Sequence, residues 1–175
     1  ELAPKKAYLT HISHLMGKHD EVESTLPENI KSNLGYDNCE HVILDYGSTD
    51  GLTNYILNNF GEYLESGRLK LYRYEVDFFW HNHAKNMAAK CTNKDAYIIC
   101  SIDADNYTGE YKKEGLASYL NKVFLKYPKR KMFVRACGWD YSDKNWGNNS
   151  FRVNENRYHS ASGKLAFRRK DFFKI

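Results

Sequence analysis

Two aspartates, two residues apart, follow the most apolar segment of the sequence. Asp103 and Asp105 come directly after the run AYIICSI, residues 96–102, whose composition predicts a buried β-strand. Residues i and i+2 of a strand share a face with Cα atoms ~6.5–7 Å apart, so both carboxylates can converge on one cation. Mg²⁺ and Mn²⁺ prefer oxygen ligands and leave positions open for phosphate oxygens. The pair indicates a metal–diphosphate site, although aspartates are also common in simple turns.

A second acidic segment, DYGSTDG at residues 45–51, follows the apolar run HVIL. Its two glycines allow backbone conformations that other residues resist, and Ser48, Thr49 or Asp50 can cap the following helix. A polar loop at a helix N-terminus can also receive a nucleotide. A capped turn explains most of this loop but does not explain Asp45, which directly follows the strand.

The run WHNHAKN at residues 80–86 opens a predicted helix. His81 and His83 are two residues apart and point in different directions on a helix, so we do not expect them to share a metal. Lys85 can neutralise a diphosphate, and Asn86 can hold a loop or a sugar hydroxyl. The alternative for both residues is an ordinary solvated helix face.

Predicted strands and helices alternate along the chain. Strands are expected at residues 6–12, 41–44, 69–76, 96–102, 131–136, 151–153 and 164–168, and helices at 20–31, 51–60, 81–90 and 111–127, with a last helix beginning at Lys170 and a loop at 137–150. This alternation predicts an α/β domain with a mostly parallel sheet covered on both faces. Functional loops then lie at the carboxyl ends of the strands, where both acidic segments fall.

Composition narrows the function classes. The chain has 175 residues, 42% of them hydrophobic and 27% charged, which suits one ordinary globular domain. A net charge of +4 is too small to imply nucleic-acid binding, and no apolar run is long enough to span a membrane. The four cysteines lack C-x-x-C spacing, which favours reduced thiols and a cytoplasmic location.

Three linked motifs resemble the signature of family 2 glycosyltransferases and their GT-A-fold relatives. VILDYGSTDG at residues 42–51 is similar to that family's DDGSTDGT-like loop. HAKNMAAKCTNKDAYIICSIDADN at 83–106 is similar to its A-R-N helix followed by a YI-x-x-LDADD-like strand. The resemblance covers about residues 6–175 and implies a Rossmann-like three-layer α/β/α sandwich, a single GT-A domain at 1–175 whose acceptor-side portion is incomplete.

The resemblance also implies roles for individual residues. Asp45 would lie by the base of the donor nucleotide, and Lys85 would replace the family's arginine near the diphosphate, with Asn86 beside it. Asp103 would face the ribose or sugar and bind the metal with Asp105. The remaining donor contacts are expected from the loop, at Ser48 and Asp50. The implied cofactor is Mn²⁺ or Mg²⁺, the donor a UDP- or GDP-sugar, and the acceptor a carbohydrate or other hydroxyl.

Several positions depart from the family pattern. Tyr46 stands where the loop usually has a second acid, which leaves the base open, and Asn106 replaces a frequent third acid. The first strand lacks the usual Asn-Arg turn, for which Thr10 or His11 is the candidate substitute. No general base can be named, and we expect it beyond Ile175.

The sequence thus predicts a metal-dependent glycosyltransferase. The alternative is a non-catalytic nucleotide-sugar-binding or scaffold domain of the same fold. A haloacid-dehalogenase-type phosphatase is disfavoured, because that family needs a threonine two residues after its second aspartate, where Tyr107 stands. Trp139, Tyr141 and Trp146 lie in the Gly- and Asn-rich segment, where they either stack on a sugar or cover the core.

Overall fold

A computed structural model describes residues 8–17, 20–104, 116–135 and 164–174. The strands are β1 (Leu9–Leu15), β2 (Cys39–Tyr46), β3 (Leu69–Tyr74), β4 (Ile98–Ile102), β5 (Phe133–Arg135) and β6 (Lys164–Arg168). The helices are α1 (Asp20–Leu34), α2 (Leu52–Asn59), α3 (Gly61–Glu65), α4 (His81–Lys90), α5 (Leu116–Lys126) and α6 (Arg169–Phe172).

The six strands form one sheet in the order β3-β2-β1-β4-β6-β5. The first four of these strands are parallel, and β6 runs antiparallel to both β4 and β5. The expected mostly parallel α/β sheet is therefore confirmed. Because β1 pairs with both β2 and β4, the carboxyl ends of these strands lie at one edge of the sheet.

The central strands are buried on both faces, as expected for a parallel sheet between helices. Every residue of β1, β2 and β4 is buried, whereas only Leu69 is buried in the outer strand β3. One core cluster joins Leu9, Ile43 and Ile98 to the helices α1, α2 and α5. The other joins Ile12 and its neighbours to three alanines of α4, whose small side chains let this helix approach the sheet closely.

Two helices depend on partners from distant parts of the chain. Pro27 lies inside α1 and has no N–H to donate to the carbonyl of Glu23, four residues earlier. The hydroxyl of Tyr55 donates to that carbonyl at 3.2 Å. Beyond the end of α5, the buried guanidinium of Arg168 donates to the carbonyls of Tyr127 and Arg130, which ties this end of the helix to β6.

Most predicted elements are present, with shifted ends. The fourth helix is confirmed at residues 81–90. The first strand begins and ends three residues later than predicted, the short helix α3 was not predicted, and α6 begins at Arg169 instead of Lys170. Within the range of the helix predicted at 111–127, Leu120 and Phe124 are buried, whereas Tyr119 and Tyr127 are exposed. The predicted loop at 137–150 and strand at 151–153 lie outside the described residues.

No helix among the described ranges is long and apolar enough to cross a membrane.

Candidate active site

The segments that follow β1, β2 and β4 come together at the carboxyl edge of the sheet. The hydroxyl of Ser13 donates to the carbonyl of Ile102 at 2.8 Å, which joins the ends of β1 and β4. The backbone N–H of Gly17 donates to Oγ of Ser48 at 2.8 Å, which joins the loop after β1 to the loop after β2. The topology therefore assembles one polar edge from segments about 90 residues apart in sequence.

Asp45 ends β2 with a completely buried carboxylate. Its Oδ1 accepts from the backbone N–H of Ser48 at 2.9 Å, and its Oδ2 accepts from the hydroxyl of Thr53 and from Nη1 of Arg73 at 2.7 Å. The sequence predicted Asp45 but not Arg73, which lies opposite it on β3. Arg73 also donates to the carbonyl of Ser48 at 2.9 Å and to the carboxylate of Glu75. The guanidinium thus holds both the carboxylate and the loop that follows it.

The loop after Asp45 needs its glycines. Gly47 has φ 78°, and a Cβ there would come within 2.2 Å of the carbonyl oxygen of Val76. Gly51 is the N-cap of α2 with φ 84°, and no side chain caps this helix. The expectation that Ser48, Thr49 or Asp50 caps α2 is therefore wrong, because the glycine occupies the capping position. Oγ of Ser48 instead accepts from Gly17, and Asp50 is exposed.

Asp103 directly follows β4 and is partly exposed. The backbone carbonyls of Asp103 and Ala104 accept from Asn29 at 3.5 Å and from Thr25 at 3.3 Å, so side chains of α1 hold the end of the strand. Asp105 lies outside the described residues, and the predicted metal-binding pair stays a prediction. Within the described residues, no cluster of three or more histidine, cysteine, aspartate or glutamate side chains is arranged to hold a metal ion.

Helix α4 carries the two predicted residues Lys85, which is half-buried, and Asn86, which is exposed. Nε2 of His14 at the end of β1 lies 3.1 Å from Nδ1 of His81 in the first turn of α4. Burial, together with the nearby charges of His81 and Lys85, lowers the pKa of His14 to about 4. Lys85 therefore lies close enough to the end of β1 to act on its electrostatics.

His81 and His83 contact different partners, as the helix geometry predicted. His81 pairs with His14, whereas Nδ1 of His83 lies 2.7 Å from the hydroxyl of Tyr46. Tyr46, the last residue of β2, is thus buried against α4. The family's second acid is replaced here by a residue whose hydroxyl is already bonded within the protein.

An aromatic cluster borders the same edge and was missed from the sequence. The ring of Tyr46 lies 5.5 Å from Tyr74 and 5.8 Å from Phe79, the ring of Phe78 lies 5.0 Å from Trp80, and the ring of His83 links these two groups. The members of the cluster are Tyr46, Tyr74, Phe78, Phe79 and Trp80. The last three are consecutive and substantially exposed just before α4. Three adjacent large aromatics at the start of a helix were visible in the run DFFWHNH, residues 77–83.

Thr10 and His11 do not lie where the family's turn was expected. Both are fully buried inside β1, which continues to Leu15. Thr10 donates to Glu40 at 2.8 Å, and His11 packs edge-on against His41 on β2. The suggestion that either replaces the turn residues is wrong, because the strand ends four or five residues later.

The family model described as glycosyl transferase family 2 matches residues 16–174. The chain belongs to glycosyl transferase family 2. The match includes both acidic segments and helix α4, so the resemblance read from the three motifs is confirmed. A search of curated proteins found no match.

Solved structures show the GT-A fold. The chain is similar to the mannosyltransferase PcManGT from Pyrobaculum calidifontis, in complex with GDP-Man and Mn²⁺, at a TM-score of 0.65 and 20% identity, covering 99% of this chain and 49% of that one. It is also similar to glucosyl-3-phosphoglycerate synthase from Mycobacterium tuberculosis in complex with UDP, at 0.53 and 14%, covering 94% and 57%. The galactosyltransferase LgtC, in complex with donor and acceptor sugar analogs, matches at 0.52 and 10%, covering 95% and 60%.

The chain spans about half the length of the mannosyltransferase that it matches. These likenesses show the fold, and the reaction follows only as a proposal.

Proposed function

We propose that the protein transfers a sugar from a nucleoside diphosphate sugar to an acceptor hydroxyl, with Mn²⁺ or Mg²⁺ as cofactor. The observation that carries the proposal is the convergence of the three predicted motifs at one edge of a family 2 fold. Contacts between Gly17 and Ser48 and between Ser13 and Ile102 join the segments after β1, β2 and β4, and the contact between Tyr46 and His83 joins β2 to α4. The mannosyltransferase of similar fold is in complex with GDP-Man and Mn²⁺, which supports this class of donor and metal.

In the proposed reaction, the bond between the anomeric carbon and the β-phosphate oxygen breaks, and the oxygen of the acceptor hydroxyl bonds to that carbon. The nucleoside diphosphate leaves with the electron pair, and the hydroxyl proton passes to a base outside the residues that we can assign. A divalent cation held by Asp103 and Asp105 would supply positive charge to the leaving diphosphate.

Residues of the chain position the donor in this proposal. Lys85, near the end of β1, adds positive charge on the diphosphate side, and Asn86 lies beside it. Ser48 and Asp50 present polar groups from the loop after β2. Asp45 acts through its bonds to Ser48 and Arg73, which hold that loop in place.

A reducing compartment is part of the proposal. Cys39, Cys91 and Cys100 are free thiols, and burial raises the pKa of the Cys39 thiol to about 11. Such thiols are inert and do not require oxidation for stability, which supports a cytoplasmic location.

A turnover assay tests the proposal and separates it from the scaffold alternative. UDP- and GDP-sugars are incubated with the protein and Mn²⁺, and release of the nucleoside diphosphate is measured with and without a chelator. We expect metal-dependent release that Lys85→Ala lowers about tenfold or more, while Lys90→Ala at the far end of α4 leaves it unchanged. Nucleotide binding without release from any donor would favour the scaffold reading.

A further inference from the structure

The carboxylate of Asp45 already accepts three hydrogen bonds within the protein. They come from the N–H of Ser48, the hydroxyl of Thr53 and the guanidinium of Arg73, and the carboxylate is completely buried. A carboxylate offers about four lone-pair positions, so Asp45 can accept at most about one more hydrogen bond, through Oδ1. The ring faces and the other polar atoms of a donor base therefore need further partners at this edge of the sheet.

Phe79 is a fixed aromatic surface beside that edge. Its ring stacks on His14 at 5.7 Å and 14° and meets the rings of Tyr46 at 5.8 Å and His81 at 6.0 Å. Although three rings hold it, Phe79 remains 43% exposed. A ring that is held in this way loses little freedom when a ligand stacks on its exposed part. The adjacent Phe78 is 53% exposed and packs against Trp80 instead.

His81 offers a hydrogen-bonding group next to this ring. Its Nδ1 lies 3.1 Å from Nε2 of His14, and its Nε2 has no hydrogen bond to any described residue. His14 is neutral at pH 7, because burial lowers its pKa to about 4. A neutral imidazole donates through one nitrogen and accepts through the other, so the outer nitrogen of His81 can take the role opposite to that of the nitrogen that contacts His14.

His81 and Lys85 share one face of α4, because residues i and i+4 are neighbours on a helix. No acidic residue lies in the first turn of α4, and no side chain caps its N-terminus. The face that starts at Phe79 and ends at Lys85 therefore combines an aromatic surface, a polar ring atom and a positive charge. A heteroaromatic base that is linked to a diphosphate has the matching chemistry.

We propose that Phe79 and His81 form the contact surface for the base of the donor nucleotide. The base stacks on the exposed part of Phe79 and bonds to Nε2 of His81, and His14 is a positioning residue that holds the ring of His81. This inference rests on the proposed function, because it assumes a nucleoside diphosphate donor. Uracil and guanine both present an imide N–H beside a carbonyl oxygen, so either base can satisfy the contact.

Two adjacent phenylalanines provide a matched test of the stacking contact. Dissociation constants of UDP, GDP and methyl diphosphate, which has no base, are measured by calorimetry with Mg²⁺ for Phe79→Ala and Phe78→Ala. We expect Phe79→Ala to weaken binding of the preferred nucleotide about tenfold or more. Phe78→Ala should change it less than twofold, and neither variant should change the binding of methyl diphosphate. Equal losses in both variants, or none in either, would overturn the stacking contact.

The imidazole is tested by His81→Ala and His81→Gln. We expect about a tenfold loss of nucleotide affinity in the alanine variant and partial recovery with glutamine, whose amide also donates and accepts. Recovery by glutamine would not follow from a structural role alone. Unchanged affinity in both variants would overturn the base contact while leaving the proposed function intact. A wild-type protein that binds neither UDP nor GDP would overturn both.

Discussion

Two buried carboxylates lie at opposite ends of β2, and both pair with a cation on β3. Glu40, the second residue of β2, accepts from Thr10 at 2.8 Å and from the N–H of Asn93 at 2.7 Å, and it forms an ion pair with the ammonium of Lys70. Asp45 at the other end is equally buried and pairs with Arg73. Burial and ion pairing are therefore the same at both ends and do not by themselves identify a functional residue.

The difference lies in what surrounds each carboxylate. Glu40 joins strands and the segment before β4 at the amino end of the sheet, whereas Asp45 holds a loop that contacts the segment after β1. In parallel α/β sheets, ligands bind at the carboxyl ends of the strands. Strand direction, and not the chemistry of the individual carboxylate, is thus the reason why we propose Asp45 as a site residue and Glu40 as part of the scaffold.

The largest expected effect on the free energy of unfolding comes from neither carboxylate. It comes from three buried histidines on β1 and β2. Burial lowers the pKa of His41 to about 3, that of His14 to about 4 and that of His11 well below its usual value. These groups stay neutral in the folded protein while the unfolded chain takes up protons below about pH 6.5. Stability is therefore complete above that pH and is lost as pH falls, by roughly 4 kcal/mol between pH 7.5 and 5.5 for three groups.

Urea unfolding across this pH range measures the loss of stability, and the variant His11→Leu tests how much of it comes from one histidine. Both ring nitrogens of His11 are buried without a hydrogen bond to the described residues, so an apolar residue of similar size should raise stability at pH 7 and reduce the pH slope by about a third. A pH slope that His11→Leu leaves unchanged would contradict the contribution of this buried histidine.

Neutralising the two carboxylates is expected to have the next largest effect on the free energy of unfolding. We expect Glu40→Gln and Asp45→Asn each to lower the free energy of unfolding by about 3 kcal/mol, because each breaks a buried ionic network. Only Asp45→Asn should also weaken nucleotide binding by more than tenfold, since it loosens the loop after β2. Urea unfolding and calorimetric titration of each variant check both parts. Equal losses of affinity in the two variants would remove the distinction between site and scaffold.

The smallest effect is expected from conservative substitutions of the two cationic side chains on β3, Arg73 and Lys70. Arg73 bonds to Asp45, to the carbonyl of Ser48 and to Glu75 through different nitrogens, which a lysine cannot reproduce. Arg73→Lys should lower the melting temperature by roughly 2–4 °C and weaken nucleotide binding severalfold. Lys70→Arg should change neither measurably. Thermal unfolding with and without nucleotide distinguishes the two, and an equal response would contradict the special role of Arg73.

The sequence predicted elements whose signals are local. The helix at residues 81–90 was predicted at its observed ends, because its alanines recur on one face and pack on the sheet. The end of β1 was missed because Ser13 and His14 look like loop residues. Their polar groups bond to Ile102 and His81, partners that only the folded topology brings near.

The candidate site residues show the same dependence on local signals. The acidic loop residue Asp45 could be found because it directly follows an apolar run, and Asp103 because it follows another. Arg73 could not, because its pairing with Asp45 depends on the register between β2 and β3. The contacts of Phe79 and His81 with His14 could not be predicted, because they depend on where β1 lies in the folded protein.

Calorimetric titration of UDP and GDP with and without Mn²⁺ tests whether this edge of the sheet is a metal-dependent donor site. We expect one of the two nucleotides to bind and Mn²⁺ to strengthen this binding; at 100 times the dissociation constant the ligand should add about 2.7 kcal/mol of stability. Asp105→Ala should abolish the contribution of the metal, and Asp95→Ala, which replaces an exposed aspartate at the amino end of β4, should preserve it. Metal-independent binding that Asp105→Ala leaves unchanged would show that Asp105 holds no metal for the donor.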